Sequence, residues 1–300
     1  MLTIFSIPKA FRGHVGAIQR NAIRSWTRLQ PRPEVILLGD EEGTSGVARE
    51  MGVRHIPDVA TNEHGTPLLN AALARVREVA DTGLLCLVNG DIILLQEFVD
   101  GLRKVAERFP EFLAVAQRMN VEINEELDFA TTGERKLREE VLPRGVPGSH
   151  TAIDVFVFPA SVYGSVPALV LGRAWFDQWL IKEARRMGIA VVDMTRRARA
   201  IHQNHDYGHI VDGQRGAYWG EEAQHNLSIY GGAPHEYTLL SVTHELRRDG
   251  TVRRVRLREA AFATRHALWD VFVRRTRKIR DALRLRRKFW QAGKSLPNAR

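Results

Sequence analysis

The 300-residue sequence contains a single cysteine, Cys86, so it cannot form a disulfide within the chain. Cys86 lies in the apolar run LLCLV at residues 84–88, where a small polarizable side chain packs easily. Nothing near it offers the positive charge and exposure that make a thiolate reactive, so we interpret it as a buried structural thiol. Proteins without disulfides are typical of reducing compartments, and we therefore expect a cytoplasmic protein.

Long apolar runs are also missing. No segment reaches the roughly 18 apolar residues that a membrane-spanning helix needs. The amino-terminal run at residues 2–7 has no basic region before it and no small-residue cleavage site after it, so it predicts a first β-strand. With 44% hydrophobic and 26% charged residues and no internal repeat, the chain has the composition of an ordinary folded domain with an appendage.

Acidic residues are scarce at one end of the chain. Residues 247–300 contain 18 Lys and Arg against 4 Asp and Glu, a net charge of +14, while the preceding residues carry −5. Apolar residues of this tail follow helical spacing between Leu268 and Phe289, with Arg and Lys filling the other face. We predict one or two basic amphipathic helices from Thr251 onward. They would either bind an anionic membrane surface as a peripheral element or form a solvated helix on their own domain.

Short β-rich runs alternate with helical patterns, which predicts crossover units and an α/β fold with a mixed, mainly parallel sheet flanked by helices. Strands are predicted at residues 2–7, 35–38, 53–56, 84–88, 112–116, 152–158, 190–193 and 199–202. Helices are predicted at residues 18–29, 46–51, 67–80, 97–108 and 175–187. Thr66 and Pro67 are a favourable helix start, since Thr caps free N–H groups and Pro suits the first helical position. Residues 118–152 are expected to form a long functional loop or a partly helical insertion.

The motif Asn89-Gly90-Asp91 directly follows a predicted buried strand. Ligands of open α/β sheets bind beyond the carboxyl ends of the strands. A carboxylate held there can ligate Mg²⁺ or Mn²⁺, which neutralises charge on a departing diphosphate. Asn89 can bond a ribose or support the metal shell, and Gly90 permits close approach of the backbone to a phosphate. The alternative for Asp91 is a helix cap.

Three further polar positions can carry chemistry. His202 and His205 lie at the end of a predicted strand, and imidazoles are common ligands for Mn²⁺, although a hydrogen-bonded polar turn is the alternative. Asp177 lies among aromatic residues at a helix start, where partial burial favours a general base and favourable helix-terminal charge is the competing explanation. Asp154 lies in a β-rich run. It either binds an acceptor hydroxyl or is a charge that keeps an edge strand from aggregating.

Together these segments resemble the GT-A superfamily of glycosyltransferases, in particular bacterial proteins related to glycosyltransferase family 2. The resemblance spans residues 2 to about 230 and makes residues 1–245 a GT-A-like catalytic domain, with residues 246–300 as its basic helical extension. The matching pieces are residues 19–26, 39–43, 62–69, 88–94, 172–179 and 202–209. In the Asp-X-Asp motif of that superfamily the first position is Asn89 here, and Asp91 takes the place of the second carboxylate.

The resemblance implies a nucleotide-sugar donor, a divalent cation (Mn²⁺ or Mg²⁺) and a glycan or lipid-linked acceptor. It implies that Asp177 deprotonates the acceptor in an inverting transfer, with a retaining mechanism left open if Asp177 is only structural. It implies metal ligation by Asp91 with His202 or His205, and acceptor contacts from Asp154 and Trp175. The residues implied to bind the nucleotide-sugar are Pro8, Arg20, Asp40, Thr66, Pro67, Asn89, Gly90 and Asp91.

Two alternative functions stay open at the level of the sequence. A sugar nucleotidyltransferase would use a similar sheet, but it needs a basic, Gly-rich first loop, which Lys9, Arg12, Gly13 and Gly16 match only in part. A nucleic-acid-binding protein would act through the Arg-rich tail and its aromatic residues, because the rest of the chain is net acidic.

Overall fold

The computed structural model describes residues 2–205, 213–231 and 237–264. The strands of this part are β1 Leu2–Ser6, β2 Glu34–Leu38, β3 Arg54–Ile56, β4 Leu84–Val88, β5 Ile92–Ile93, β6 Phe112–Val121, β7 Val146–Pro147, β8 Ile153–Pro159, β9 Ala190–Asp193, β10 Ala200–Gln203, β11 His244–Leu246 and β12 Val252–Arg254. The helices are α1 Gly13–Thr27, α2 Thr44–Met51, α3 Leu69–Val79, α4 Gln96–Arg108, α5 Gly133–Lys136, α6 Phe176–Arg186, α7 Gly213–Trp219 and α8 Glu221–Tyr230.

The main sheet has the strand order β12-β11-β9-β6-β8-β4-β1-β2-β3. β4, β1, β2 and β3 form one group of parallel strands, and β6, β9 and β11 form another. β8 lies between the two parallel groups and runs antiparallel to both β4 and β6. The predicted α/β fold with a mixed, mainly parallel sheet is therefore confirmed.

Both faces of the sheet are buried, because successive side chains of a strand point to opposite sides. Ile4 and Cys86 face one core layer, whereas their neighbours Phe5 and Leu85 face the other. Helices α1, α2 and α4 cover the first face, and α3 and α6 cover the second. Cys86 is fully buried, and burial raises the pKa of its thiol, so it is the inert core residue that the sequence indicates.

Residues 118–152 are only partly the predicted loop. β6 continues to Val121 instead of ending at residue 116, with a register irregularity between Ala116 and Gln117. Short helical turns then cover residues 133–144 and lead into β7. The extension of β6 pairs in parallel with β10, which pairs in turn with β5. These strands and the segment after them bury a third, smaller core that includes Met119, Ile201 and Leu137.

Two local predictions are wrong. Helix α3 begins at Leu69, so Thr66 is not its cap and Pro67 is not its first residue. The backbone before the helix is used elsewhere: Leu68 N–H donates to Ala60 O, and Pro67 O accepts from Leu171 N–H. The tail is also not helical from Thr251, because residues 252–254 form β12 and pair with β11.

The chain divides into two compact units, Met1–Val255 and Arg256–Arg300. The predicted boundary between residues 245 and 246 falls inside β11. In the second unit, residues 256–264 are helical, and the remainder of the predicted amphipathic tail lies outside the described residues. Among the helices described, none combines the length and the apolar character needed to cross a membrane.

Candidate active site

A cleft of about 1210 Å³ opens beyond the carboxyl ends of β1 and β4. Its volume exceeds the roughly 300–1,000 Å³ that is usual for small-ligand sites. The predicted site residues that line it are Pro8, Thr66, Pro67, Asn89, Gly90, Asp91, Asp154, Trp175, Asp177, His202 and His205. Segments far apart in the sequence are therefore brought to one cavity by the sheet topology.

The backbone of Asp91 is held by a buried glutamine, Gln203, which is not among the predicted site residues. Gln203 Nε2 donates to Asp91 O at 3.0 Å and to Ile18 O at 2.8 Å. Its Oε1 accepts a hydrogen bond from Asn21 Nδ2 at 2.9 Å. Since buried polar groups need partners, this fully bonded amide fixes the loop of Asp91 to both α1 and β10.

Helix α1 also fastens the chain just after Asp91. Trp26 Nε1 donates to Ile92 O at 2.8 Å, and Ser25 Oγ accepts from Leu94 N–H at 3.1 Å. Gly90 packs against this helix, because a Cβ at that position would lie 3.0 Å from Gln19 Oε1. The hydrogen bonds of Ser25 and Trp26 on α1 therefore hold the backbone that directly follows Asp91.

Asp91, His202 and His205 form a compact cluster. His205 Nε2 lies 2.8 Å from Asp91 Oδ2, and His202 Nε2 lies 3.7 Å from the same oxygen. The three side chains are 7 to 12% exposed. One ligand atom from each lies within 4.8 Å of the other two, as an ion shared by all three requires. The spacing of the sequence leaves open which histidine is the ligand, and the structure brings both to Asp91.

Electrostatics keep this cluster in the protonation state that a cation needs. Burial by itself raises the pKa of Asp91. The hydrogen bond with His205 and the charges of both histidines and Lys9 outweigh that effect and lower the pKa to about 2. Burial lowers the pKa of His202. Metal ligands must be deprotonated, so an ionised Asp91 beside a neutral His202 is a suitable donor set.

The residues present fit a divalent cation. Asp91 Oδ1 and His202 Nδ1 are buried and have no hydrogen-bond partner within the described residues. Buried polar atoms without partners are unusual and call for an explanation such as an ion. One carboxylate with two imidazoles favours Mn²⁺ over Mg²⁺, which prefers oxygen ligands.

Asn89 and Asp154 form a pair across β4 and β8. Asn89 Nδ2 donates to Asp154 Oδ1 at 2.8 Å, and Arg118 Nη1 lies 3.6 Å from Asp154 Oδ2. Burial raises the pKa of Asp154, and the charge of Arg118 opposes that effect. Because β8 lies between two other strands, the explanation of Asp154 as an edge-strand charge is wrong.

The start of α6 has an unusual backbone. Trp175 precedes the helix with φ of 82°, a left-handed conformation that is rare for a bulky residue and concentrates at functional sites. Its ring packs on Tyr230 with the ring centroids 5.3 Å apart. Trp175 Nε1 and Gln178 Oε1 are buried without a hydrogen-bond partner among the described residues. Asp177, between them, lines the same cleft.

An ion-pair network that the sequence did not reveal closes the other wall. Glu222, on α8, accepts from Arg173 Nε at 2.6 Å and from Asn62 Nδ2 at 2.6 Å. Asn62 Oδ1 in turn accepts from Thr66 N–H at 2.9 Å. Single charged residues with such wide sequence separations give no periodic or motif signal, and only their segments, residues 62–69 and 172–179, could be recognised.

Two of the predicted donor-site residues lie outside the cleft lining. Arg20 on α1 pairs with Glu50 and lies 3.8 Å from Glu126. Asp40 is exposed after β2, and its neighbour Glu41 lines the cleft instead. A role for Arg20 and Asp40 in nucleotide binding therefore stays a prediction that the cleft geometry does not support.

No protein-family model matches the chain, and no curated protein matches it. Solved structures do show similarity. Glucosyl-3-phosphoglycerate synthase from Mycobacterium tuberculosis, in complex with Mn²⁺, uridine-diphosphate and phosphoglyceric acid, is 16% identical over 77% of this chain and 79% of that chain, with a TM-score of 0.47. A protein from Desulfovibrio desulfuricans G20, named only as a proposed nucleotide-diphospho-sugar transferase, is 10% identical over 76% of this chain and 96% of that chain, with a TM-score of 0.41.

A third similar structure is CMP:2-keto-3-deoxy-manno-octonic acid synthetase complexed with CTP, 10% identical over 68% of this chain and 94% of that chain, with a TM-score of 0.40. The names of all three structures are those of sugar-nucleotide enzymes. Similarity this distant does not assign a function to the chain.

Proposed function

We propose that the chain is a glycosyltransferase that moves a sugar from a nucleotide-sugar donor to an acceptor hydroxyl. One observation carries the proposal. The side chains of Asp91, His202 and His205, whose ligand atoms are close enough to share a cation, line the same cleft as a candidate base, Asp177. A donor diphosphate needs the first of these groups, and an acceptor hydroxyl needs the second.

The donor is proposed to bind where β4 ends. Asp91 and the two histidines would hold a divalent cation, which supplies positive charge to stabilise the leaving diphosphate. Pro8, Thr66 and Pro67 line the cleft near this point and are proposed to border the nucleotide. The imidazole ligands favour Mn²⁺ as that cation.

Asp177 is proposed as the general base. It takes the proton of the acceptor hydroxyl while the hydroxyl oxygen forms a bond to the anomeric carbon of the sugar. The bond between that carbon and the diphosphate oxygen breaks at the same time, and its electron pair leaves with the diphosphate. Attack from the side opposite the leaving group inverts the anomeric carbon. A glycan or lipid-linked acceptor remains the proposed partner, with Trp175 at its binding site.

The first loop argues against the nucleotidyltransferase alternative. That reaction needs basic and glycine residues wrapped around a triphosphate. Lys9 lines the cleft, but Arg12 pairs with Glu42 outside it. Gly16 is packed against the backbone of Phe11, where a Cβ would lie 2.8 Å from the carbonyl carbon. The loop is therefore built to start α1 and leaves one basic side chain at the cleft.

A thermal-shift screen of nucleoside diphosphates with and without Mn²⁺ tests the proposal, because a ligand that binds only the folded state raises its stability. We expect one diphosphate to raise Tm in a Mn²⁺-dependent manner and Asp91→Ala to abolish that shift. Asp58→Asn, which removes an exposed carboxylate outside the cleft lining, is the matched control. An undiminished Mn²⁺-dependent shift in Asp91→Ala would overturn the assignment.

A second assay separates the two enzyme classes. Incubation with nucleotide-sugars and no acceptor should give slow hydrolysis to free sugar and nucleoside diphosphate if the chain is a transferase. Exchange of labelled pyrophosphate into nucleoside triphosphate would instead identify a nucleotidyltransferase.

A further inference from the structure

Asn89, which directly follows β4, lies opposite Asp154 on the antiparallel strand β8. Val88 on β4 is opposite Val155 on β8, and the next step of the same register places Asn89 opposite Asp154. Asn89 N–H donates to Asp154 O at 3.2 Å, so the pairing continues past the end of β4. The side-chain hydrogen bond of 2.8 Å between them is therefore fixed by the backbones of both strands.

This pairing explains physically why an amide stands at position 89. A carboxylate there would place two negative oxygens in direct contact, and one of them would have to take a proton. An amide can instead donate its N–H to the carboxylate opposite. The two positions together therefore hold one negative charge, and in this chain that charge lies on β8 rather than on β4.

The charge on Asp154 has few partners of its own. Its side chain is 11% exposed, and its Oδ2 has no hydrogen-bond partner within residues 2–205, 213–231 and 237–264. Arg118, at 3.6 Å, offsets part of the charge. Asp154 lines the same cleft as Asp91 and His202, and its carboxylate accepts a hydrogen bond from Asn89, two residues before Asp91. A cation held by Asp91 and His202 would attract the carboxylate of Asp154.

We propose that Asp154 supplies the second negative charge of the cation site and that Asn89 is the positioning residue that holds it. Asp154 acts on the cation from outside the ligand cluster, since the atoms that lie within 4.8 Å of one another belong to Asp91, His202 and His205. This role replaces the acceptor-binding role predicted for Asp154. It rests on the proposed function, because it assumes that the cluster binds a divalent cation.

The test is a charge swap across the strand pair, with Mn²⁺ alone as the probe and calorimetry as the readout. Asp154→Asn should weaken Mn²⁺ binding about tenfold, since outer-shell partners of metal sites commonly change affinity by about 10–100-fold. The double variant Asn89→Asp with Asp154→Asn returns one carboxylate and one amide to the same hydrogen bond, and we expect its affinity to recover to within about threefold of wild type.

Metal-free thermal unfolding gives an independent readout. Asn89→Asp alone should lower Tm, because two carboxylates then meet across β4 and β8, and adding Asp154→Asn should restore it. Asp58→Asn, the exposed control, should change neither Tm nor Mn²⁺ affinity. If Asp154→Asn alone does not fold, the double variant decides, because it keeps the hydrogen-bonded pair.

Wild-type Mn²⁺ affinity in Asp154→Asn, or a double variant that binds no more tightly than Asp154→Asn, would overturn the inference. Asp91→Ala separates this result from the proposed function. If Asp91→Ala loses Mn²⁺ binding while Asp154→Asn keeps it, only the role of Asp154 fails. If both variants bind Mn²⁺ like wild type, the cation site itself is misassigned.

Discussion

At the scale of single residues, the backbone at Asp91 depends on Gln203. Replacing it by Met keeps the chain length of the side chain and removes three buried hydrogen bonds, to Asn21, Ile18 O and Asp91 O. At about 0.5–1.5 kcal/mol for each bond, we expect Gln203→Met to lower the free energy of unfolding by about 2–4 kcal/mol in urea denaturation.

Gln96 provides a matched control on the surface. Its side chain accepts from Gln30 N–H and donates to Gln30 O and to Asp100 Oδ1, but these bonds lie at exposed or half-exposed positions. Water replaces lost bonds there, so Gln96→Met should change stability by less than about 1 kcal/mol. Equal effects of the two substitutions would show that Gln203 has no special structural role.

Asp177 can be tested separately from the donor site. If it is the general base, Asp177→Asn should lower kcat about 10²–10⁴-fold, because an amide cannot accept the proton of the acceptor. The Mn²⁺-dependent thermal shift with nucleoside diphosphate should persist, since Asp177 does not hold the donor in the proposed mechanism. A variant with kcat within tenfold of wild type would reduce Asp177 to a favourable charge at a helix start, and a retaining mechanism would then stay open.

The sequence indicates some of these residues and not others, for physical reasons. The place of Asp91 in the cleft could be predicted because ligands of open α/β sheets bind beyond the carboxyl ends of the strands, and the resemblance to the GT-A superfamily added His202 and His205 to it. Gln203 and Arg118 could not be predicted, because their partners are far away in the sequence. Gln203, for example, bonds to Asn21 at a separation of 182 residues. Neither a period nor a motif encodes such contacts, which arise only when the sheet assembles.

At the scale of elements, apolar patterning located strands and helices more reliably than it located their ends. α3 forms where predicted, but its first turn is displaced because the preceding backbone pairs with residues 60 and 171. β6 exceeds its predicted end because β10 offers it a second parallel neighbour. The short strands β5, β7, β11 and β12 have too few residues to show alternation, so tertiary pairing alone defines them.

One ion pair joins α4 to the helical turn after α5 and should depend on pH. Arg138 donates to both carboxylate oxygens of Glu97, at 2.7 and 2.9 Å, and this hydrogen bonding lowers the pKa of Glu97. A lowered carboxyl pKa stabilises the fold above the unfolded value of about 4.3 and loses that effect as pH falls through the folded value.

Glu97→Gln should therefore reduce stability by up to about 1 kcal/mol at about pH 7, and the difference from wild type should be smaller at about pH 3, where the unfolded carboxyl is protonated. Urea midpoints at the two pH values measure this change. Glu107→Gln, on the same helix, breaks a single exposed contact with Lys104 at 3.1 Å and should have a smaller effect at both values. If the stability difference between Glu97→Gln and wild type grew as the pH fell, the predicted direction of the pH dependence would be wrong.

At the scale of the whole molecule, the end of the first unit can be tested by truncation. A chain of residues 1–255 keeps β11 and β12, and we expect it to unfold cooperatively. A chain of residues 1–245 loses the fully buried Leu246 and the whole of β12. Removal of a buried Leu alone costs about 2–5 kcal/mol, so this shorter chain should have a much lower Tm or be insoluble. Similar Tm values for both chains would place the boundary at residue 245.

The basic tail allows a further comparison. If residues 256–300 bind anionic lipid, the full chain should sediment with vesicles that contain an acidic phospholipid, while residues 1–255 should stay in solution. Binding should weaken as salt increases, because surface charges are screened. Equal sedimentation of the two chains would exclude the tail as the membrane element, and binding of the full chain to RNA but not to vesicles would favour the nucleic-acid alternative.

The antiparallel strand β8 has a consequence for how the chain assembles. β8 is inserted between β4 and β6, although β6 directly precedes it among the strands of this sheet and β4 lies further back in the chain. During synthesis, the apolar run of β4 therefore has an open edge on that side until residues 153–159 emerge. Exposed strand edges in incomplete chains promote aggregation. A ribosome that pauses before residue 159 would leave the edge of β4 exposed. The strand that carries Asp154 to the cleft therefore also determines when, during translation, β4 gains its second neighbour.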